Sequence, residues 1–327
     1  MTYRIFGSEL SPYSVKVRSY FRYRGLPHEW IPRSPAVQAE FQKHAKLPLV
    51  PLVVTPSGEG LQDSTPIIEH FEASGPVLAP ADPALAFLSA LLEEYGDEWG
   101  NKWMFHYRWR YQPDTWSTAE RIALQMMGAQ GPLAVAQARG AVAERMTGRL
   151  GFVGSNAVTE PLIEASFKRA VGLLETHLAT RPYLLGGRPS MADLGIWAQL
   201  YEAATDPTPG AILRAGAPTV MKWVQRMLSP KDEGPFETWT ALAPGLMPFL
   251  KLEVAALFLP WSSANAAAIA AGDKTFETTL AGARWTQEPQ KYHARSLAEL
   301  RRKYAAAAQA PGLKDILESA GCLSFLA

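Results

Sequence analysis

The chain has 327 residues, 47% of them hydrophobic and 19% charged, with a formal net charge of +1. That balance excludes a disordered chain, and the lack of any long basic run excludes a nucleic-acid footprint or a polybasic membrane patch. The single cysteine, Cys322, excludes an internal disulfide, a CxxC redox pair and a multi-cysteine zinc site. Cytoplasmic residence and no bound metal are therefore expected.

Tyr3 to Gly7 reads as a short strand at once, without the basic-then-apolar layout of a signal peptide. A loop, 8–12, leads into a helix over 15–23 with Val15, Val17, Tyr20 and Phe21 on one stripe, stopped at Gly25 and Pro27. A second strand over 28–31 and a polar helix over 34–45 follow. The apolar run 47–54 predicts a buried strand whose prolines, Pro48 and Pro51, sit at its start. After a turn over 55–60 and a brief strand at 61–62, Asp63-Ser64-Thr65-Pro66 opens a helix with Ile67, Ile68 and Phe71 on its apolar face. The order β-α-β-α-β-β-α predicts an α/β domain over 1–78.

Past a linker holding Pro76, Pro80 and Pro83, the period changes to 3.6. Helices are expected at 84–111, 118–127, 132–150, 160–179, 191–205 and 219–227, an all-helical domain over 84–228. Residues 229–327 read as a mostly helical extension packed on that domain. Within it, 254–272 carries no charge, but Pro260, Ser262, Ser263 and Asn265 interrupt the run, which predicts a buried, broken helix and not a membrane span.

Three short constellations could carry chemistry. Ser11-Pro12-Tyr13-Ser14 stands where the first helix begins, so unpaired N–H groups and a hydroxyl from Ser11 or Ser14 could stabilise a thiolate; by position alone, either serine is equally a plain helix cap. Val50-Pro51 could form a cis bond and present backbone groups to an extended peptide, or be a trans proline opening a strand. Asp63-Ser64 could hold an ammonium and a carboxylate, or simply cap the third helix.

Taken together, in this order and spacing, these segments resemble the thioredoxin-fold half of the cytosolic glutathione transferases, of the serine type. Asp63-Ser64-Thr65-Pro66-Ile67-Ile68 is similar to the family's acidic-Ser-x-x-Ile segment, and Gly186 to Asp193 resembles its G-x-x-x-S-x-A-D segment. The resemblance covers roughly residues 3–230. It implies an N-terminal thioredoxin-like domain and a helical glutathione-transferase C-terminal domain. It also implies glutathione as co-substrate, with Ser11 at the sulfur, Val50 pairing with the cysteinyl backbone, and Asp63 with Ser64 at the γ-glutamyl end. Tyr13 and Ser14 are secondary candidates. Leu49 stands where the family often has lysine, with Lys43, His44 or Lys46 as substitutes for the glycine carboxylate. SPYS also looks like a glutaredoxin CPYC without its sulfurs, which excludes mixed-disulfide chemistry there.

Ser190 and Asp193 fit a capping box, a structural role. The aromatic cluster from Tyr95 to Trp116 is mostly core by its spacing. Trp103, Tyr107 and Tyr111 are the expected lining of a second-substrate pocket, His106 is expected to be packed, and Asp97 is placed near the γ-glutamyl amine. The resemblance implies an enzyme that turns the glutathione thiol on a small apolar electrophile, working as a homodimer. The competing reading is a non-catalytic ligand-binding or protein-interaction module of the same fold.

Overall fold

The computed structural model describes residues 2–327. Four strands form one sheet in the order β2-β1-β3-β4: β1 (Tyr3–Gly7), β2 (His28–Pro32), β3 (Leu52–Val54) and β4 (Gly60–Gln62). β1 runs parallel to β2 and antiparallel to β3, which is antiparallel to β4. The register sets Phe6 against Leu52 and Leu52 against Gln62. The C-terminal ends of β1 and β4 and the start of β3 therefore lie at one end of the sheet.

Alternation along the strands divides the core. Ile5 and Val53 face α1 (Pro12–Tyr23) and α3 (Ser64–Glu72), where Val15, Tyr20, Phe21, Ile67 and Ile68 are buried. Phe6, Leu52 and Val54 face α2 (Gln38–His44) through Phe41. The predicted strand 47–54 is shorter than expected, because pairing begins only at Leu52, after the second proline removes its N–H donor.

The helical half begins with α4 (Pro83–Tyr95), a π turn (Gly96–Gly100) and α5 (Asn101–Arg110), close to the single helix that the periodicity predicts. There follow α6 (Gln112–Met127), α7 (Pro132–Thr147), α8 (Glu160–Leu178), α9 (Met191–Thr205), α10 (Pro207–Gly216) and α11 (Pro218–Arg226). The π turn crosses α9 with backbones in contact. A Cβ on Gly96 would lie 2.5 Å from the Gly195 carbonyl carbon, and one on Gly195 would lie 2.5 Å from the Glu93 oxygen. The capping box holds: Asp193 Oδ2 accepts from the Ser190 N–H at 2.9 Å and from its hydroxyl at 2.7 Å. Asp193 Oδ1 also accepts from the Leu184 N–H and the Trp223 indole, so this carboxylate fastens the loop before α9 to α11.

The extension contains α12 (Trp239–Phe249), a π stretch (Leu250–Phe258) and α13 (Leu259–Ala271), which run on as one helix of 33 residues. The expected break does not occur. The π widening between Pro248 and Pro260 accommodates the bonds that the prolines remove. This helix is long and apolar enough to cross a membrane, yet half of its most apolar window is buried and two of its polar side chains are held by neighbouring elements. Glu253 accepts from Tyr95, Ser166 and Arg169, and Asn265 bonds Gln290.

The extension is mostly helical, as expected, but also carries a hairpin of β5 (Phe276–Leu280) and β6 (Ala283–Gln287). Ala281 and Gly282, both at positive φ, make its two-residue turn. The chain closes with α14 (Lys291–Ala307), α15 (Leu313–Ala320) and α16 (Leu323–Leu326). α14 lies along α4, with the Tyr304 ring edge-on to Phe87 and Lys303 paired with Glu69 of α3.

Candidate functional site

Ser11 caps α1. Its backbone is extended (φ −113°, ψ 113°) and its hydroxyl accepts from the Ser14 N–H at 3.3 Å, while the same N–H bonds the Ser11 carbonyl at 3.0 Å. Pro12 follows at the first helical position, where its missing N–H costs nothing. Ser14 is fully buried, and its hydroxyl has no partner among the described residues. Tyr13 points elsewhere: its hydroxyl donates to the Asp97 carbonyl at 3.0 Å, and burial raises its pKa well above the ordinary phenol value. The phenol is thereby committed to the helical domain and is not directed at a thiol.

The Val50-Pro51 bond is cis. The loop leading to it is held by a side chain that the sequence reading passed over. Gln62 accepts from the N–H groups of Lys46 and Leu47 and donates to the carbonyls of Leu47 and Leu49. Leu49 is 62% exposed. Lys43 and His44 bond Glu40 and, for His44, the Gly58 carbonyl as well. The Lys46 side chain is exposed, and only its backbone N–H is held.

Asp63 opens α3 with φ at +76°, a left-handed backbone that costs a non-glycine residue roughly 1–2 kcal/mol. Such outliers concentrate at functional sites. Its carboxylate is not free: the Tyr292 hydroxyl, from the start of α14, donates to Oδ2. Ser64, next in the chain, is buried.

Behind these segments lies a buried ionic network. Lys16 of α1 reaches Glu93 Oε1 and Asp97 Oδ2, each at 2.5 Å, and Thr65 Oγ1 at 3.0 Å. Burial alone would lower the lysine pKa, but the pull of Asp97 and Glu93 outweighs it and keeps the ammonium charged. One ammonium cannot neutralise two carboxylates, and burial pushes the Asp97 carboxyl up to about 7. One Asp97 oxygen belongs to Lys16, while Oδ1 is buried without a partner among the described residues. A lysine set between Val15 and Val17 was the sequence signal for this network.

The aromatic expectations also change. Trp103 and Tyr107 are buried in the bundle against Phe167 of α8, and the Trp103 indole donates to Ser166 at 3.0 Å. They are core residues, because their spacing turns them onto α8. Tyr111 stays partly exposed, stacked on Tyr107, with its hydroxyl donating to Glu164. His106 is buried between Ser155 and Glu164, and burial lowers its pKa.

Residues 5–76 match the family model for the glutathione S-transferase N-terminal domain, and 136–226 match that for the C-terminal domain. An isoprene-epoxide–glutathione S-transferase of Rhodococcus sp. strain AD45 is 25% identical over 207 residues, covering 61% of this chain and 82% of that one. Elongation factor 1-gamma 1 of rice (Oryza sativa subsp. japonica) is 43% identical over 53 residues, 16% of this chain and only 13% of that protein. Among solved structures, the β-etherase LigF from Sphingobium sp. strain SYK-6 aligns with a TM-score of 0.45 at 17% identity, over 76% of this chain and all of that one. A glutathione S-transferase of Methylobacterium radiotolerans, complexed with glutathione sulfonate, gives 0.42 at 20% identity, over 75% and 94%. Two matched domains in the order of the observed sheet and bundle make the chain a member of the glutathione S-transferase superfamily, carrying further helices beyond its second matched domain.

Proposed function

We propose that this chain is a glutathione transferase. The observation that carries the reading is the convergence of three backbone features at one end of the sheet: the α1 N-terminus at Ser11, the cis Val50-Pro51 bond, and the α3 N-terminus at Asp63-Ser64. An extended thiol tripeptide has a partner at each. The α1 N-terminus and the Ser11 hydroxyl favour the thiolate, Val50 pairs with the cysteinyl backbone, and Asp63 with Ser64 receives the γ-glutamyl end. The exposed Lys46 side chain is the candidate cation for the glycine carboxylate.

The thiol loses its proton to water, while Ser11 keeps its own and donates a hydrogen bond to the sulfur. The sulfur lone pair then forms a carbon–sulfur bond as the electrophile's bond to its leaving atom breaks. The Rhodococcus relative is named for an epoxide, which makes epoxides the first electrophiles to assay. There the ring oxygen leaves carbon and takes a proton from water.

A second reading, a non-catalytic module of the same fold, is favoured by one observation: Tyr292 already occupies the Asp63 carboxylate. Calorimetry with glutathione, together with the ultraviolet absorbance of the bound thiolate, separates the two. Binding with a thiol pKa below that of free glutathione supports the enzyme. Binding with an unshifted pKa supports the module, and no binding refutes both forms of the glutathione reading. A homodimer is part of the proposal and is measured by light scattering.

A further inference from the structure

Beside the glutathione region, the extension meets α4 at a second cluster. Glu94 of α4, Glu98 of the π turn and His293 of α14 bring one ligand atom each to within 4.8 Å of one another. Two carboxylates alone would mean little, since acidic clusters are common on helices. The histidine is what distinguishes this one. It is 1% exposed, and its ring is fixed over the Trp261 indole with centroids 4.4 Å apart. Nε2 is held by the Ser262 hydroxyl at 2.5 Å. Nδ1 faces Glu98 Oε2 at 3.1 Å, close enough for an ion pair but without hydrogen-bond geometry to any of the described residues. A ligating imidazole is ordinarily oriented in this way, by a bond at its other nitrogen.

The neighbouring cations are committed elsewhere. Lys16 is bound by Glu93 and Asp97, Lys303 by Glu69, and Lys102 by the Val153 carbonyl and the Trp261 face. Glu94 Oε1 is buried with no partner. A buried, unpartnered carboxylate oxygen and an imidazole nitrogen that faces a second carboxylate thus belong to one small cluster.

We propose that Glu94, Glu98 and His293 form a binding site for a divalent first-row metal ion of the zinc or manganese class, which fastens α14 to α4. One nitrogen and two carboxylates suit such ions and leave positions open for water. Bonds of about 2.0–2.2 Å to a common ion would draw the three ligand atoms closer together than the 4.8 Å within which they now lie. Glu98, 15% exposed, supplies the entry path. Because Tyr292 precedes His293, the ion would also hold Tyr292 on Asp63.

The test uses the full-length chain, stripped with a chelator and dialysed, without glutathione. Zinc and manganese are titrated by calorimetry, and cobalt serves as a spectroscopic probe of the ligand field. One equivalent per chain is expected, with a rise in melting temperature. Both His293→Gln and Glu94→Gln should weaken binding by more than the roughly 10–100-fold that loss of an outer-sphere partner costs. His70→Gln, an exposed histidine of α3, should leave it unchanged. If His293→Gln does not fold, the isosteric Glu94→Gln carries the test. Absence of stoichiometric binding by any of the three ions overturns the proposal. So does wild-type affinity in the folded variants, which would assign the metal to surface histidines.

Discussion

Replacement of Ser11 by alanine separates a cap from a catalytic hydroxyl, because the two roles predict effects of different size on different observables. As a cap, Ser11 is weak. Its oxygen stands 3.3 Å from the Ser14 N–H, and that N–H already bonds the Ser11 carbonyl at 3.0 Å. The loss should fall at the low end for N-caps, about 0.5 kcal/mol, a small shift in a urea midpoint. As a donor to a thiolate, the hydroxyl contributes about 1.5–3 kcal/mol, the range for hydrogen bonds to charged groups. At roughly 1.4 kcal/mol per unit, the bound thiol pKa should rise by about 1–2 units. Below that pKa, the thiolate fraction and kcat/KM should fall about 10–100-fold, with KM for glutathione nearly unchanged. The assay is a pH–rate profile with an epoxide or an activated aryl halide, paired with thiolate absorbance of the binary complex. A wild-type rate in the folded variant would refute the assignment of Ser11. A slowed rate with an unshifted thiol pKa would refute the thiolate argument while leaving Ser11 a positioning role.

Tyr292→Phe should release the Asp63 carboxylate for the ligand ammonium and tighten glutathione binding about five-fold by calorimetry, the equivalent of one hydrogen bond near 1 kcal/mol; weaker binding would mean that Tyr292 itself contacts the ligand. Gly195→Ala should lower stability by about 1–3 kcal/mol in chemical denaturation, since its Cβ would lie 2.5 Å from the Glu93 carbonyl oxygen and force α9 off α4. His177 is buried, donates from Nε2 to the Leu184 carbonyl at 2.8 Å, and has its pKa lowered by burial to about 4. A base with a depressed folded-state pKa contributes stability above its unfolded value, near 6.5, that is lost as pH falls towards 4. The loss is on the order of 3 kcal/mol. Melting curves between pH 7 and 4 should therefore fall less steeply for His177→Gln than for the wild type.

What the sequence determined by itself was local. Proline after Ser11, the Val50-Pro51 pair, the Asp63-Ser64 helix start and the Ser190–Asp193 box each act within a few residues, so the sequence marks them, while the family resemblance supplied the roles of the first three. Helix periodicity likewise marked the bundle, since 3.6-residue stripes are a local record of which face is buried. The β5–β6 hairpin was legible in the alternation around Ala281-Gly282 and was passed over in favour of helix. Tertiary structure decided which groups meet. Lys16 finds Glu93 and Asp97 at separations of 77 and 81 residues, and Tyr292 finds Asp63 across 229. No short-range rule ties such residues together: their pairing follows from how α1, α4 and α14 pack, and packing is a property of the whole chain.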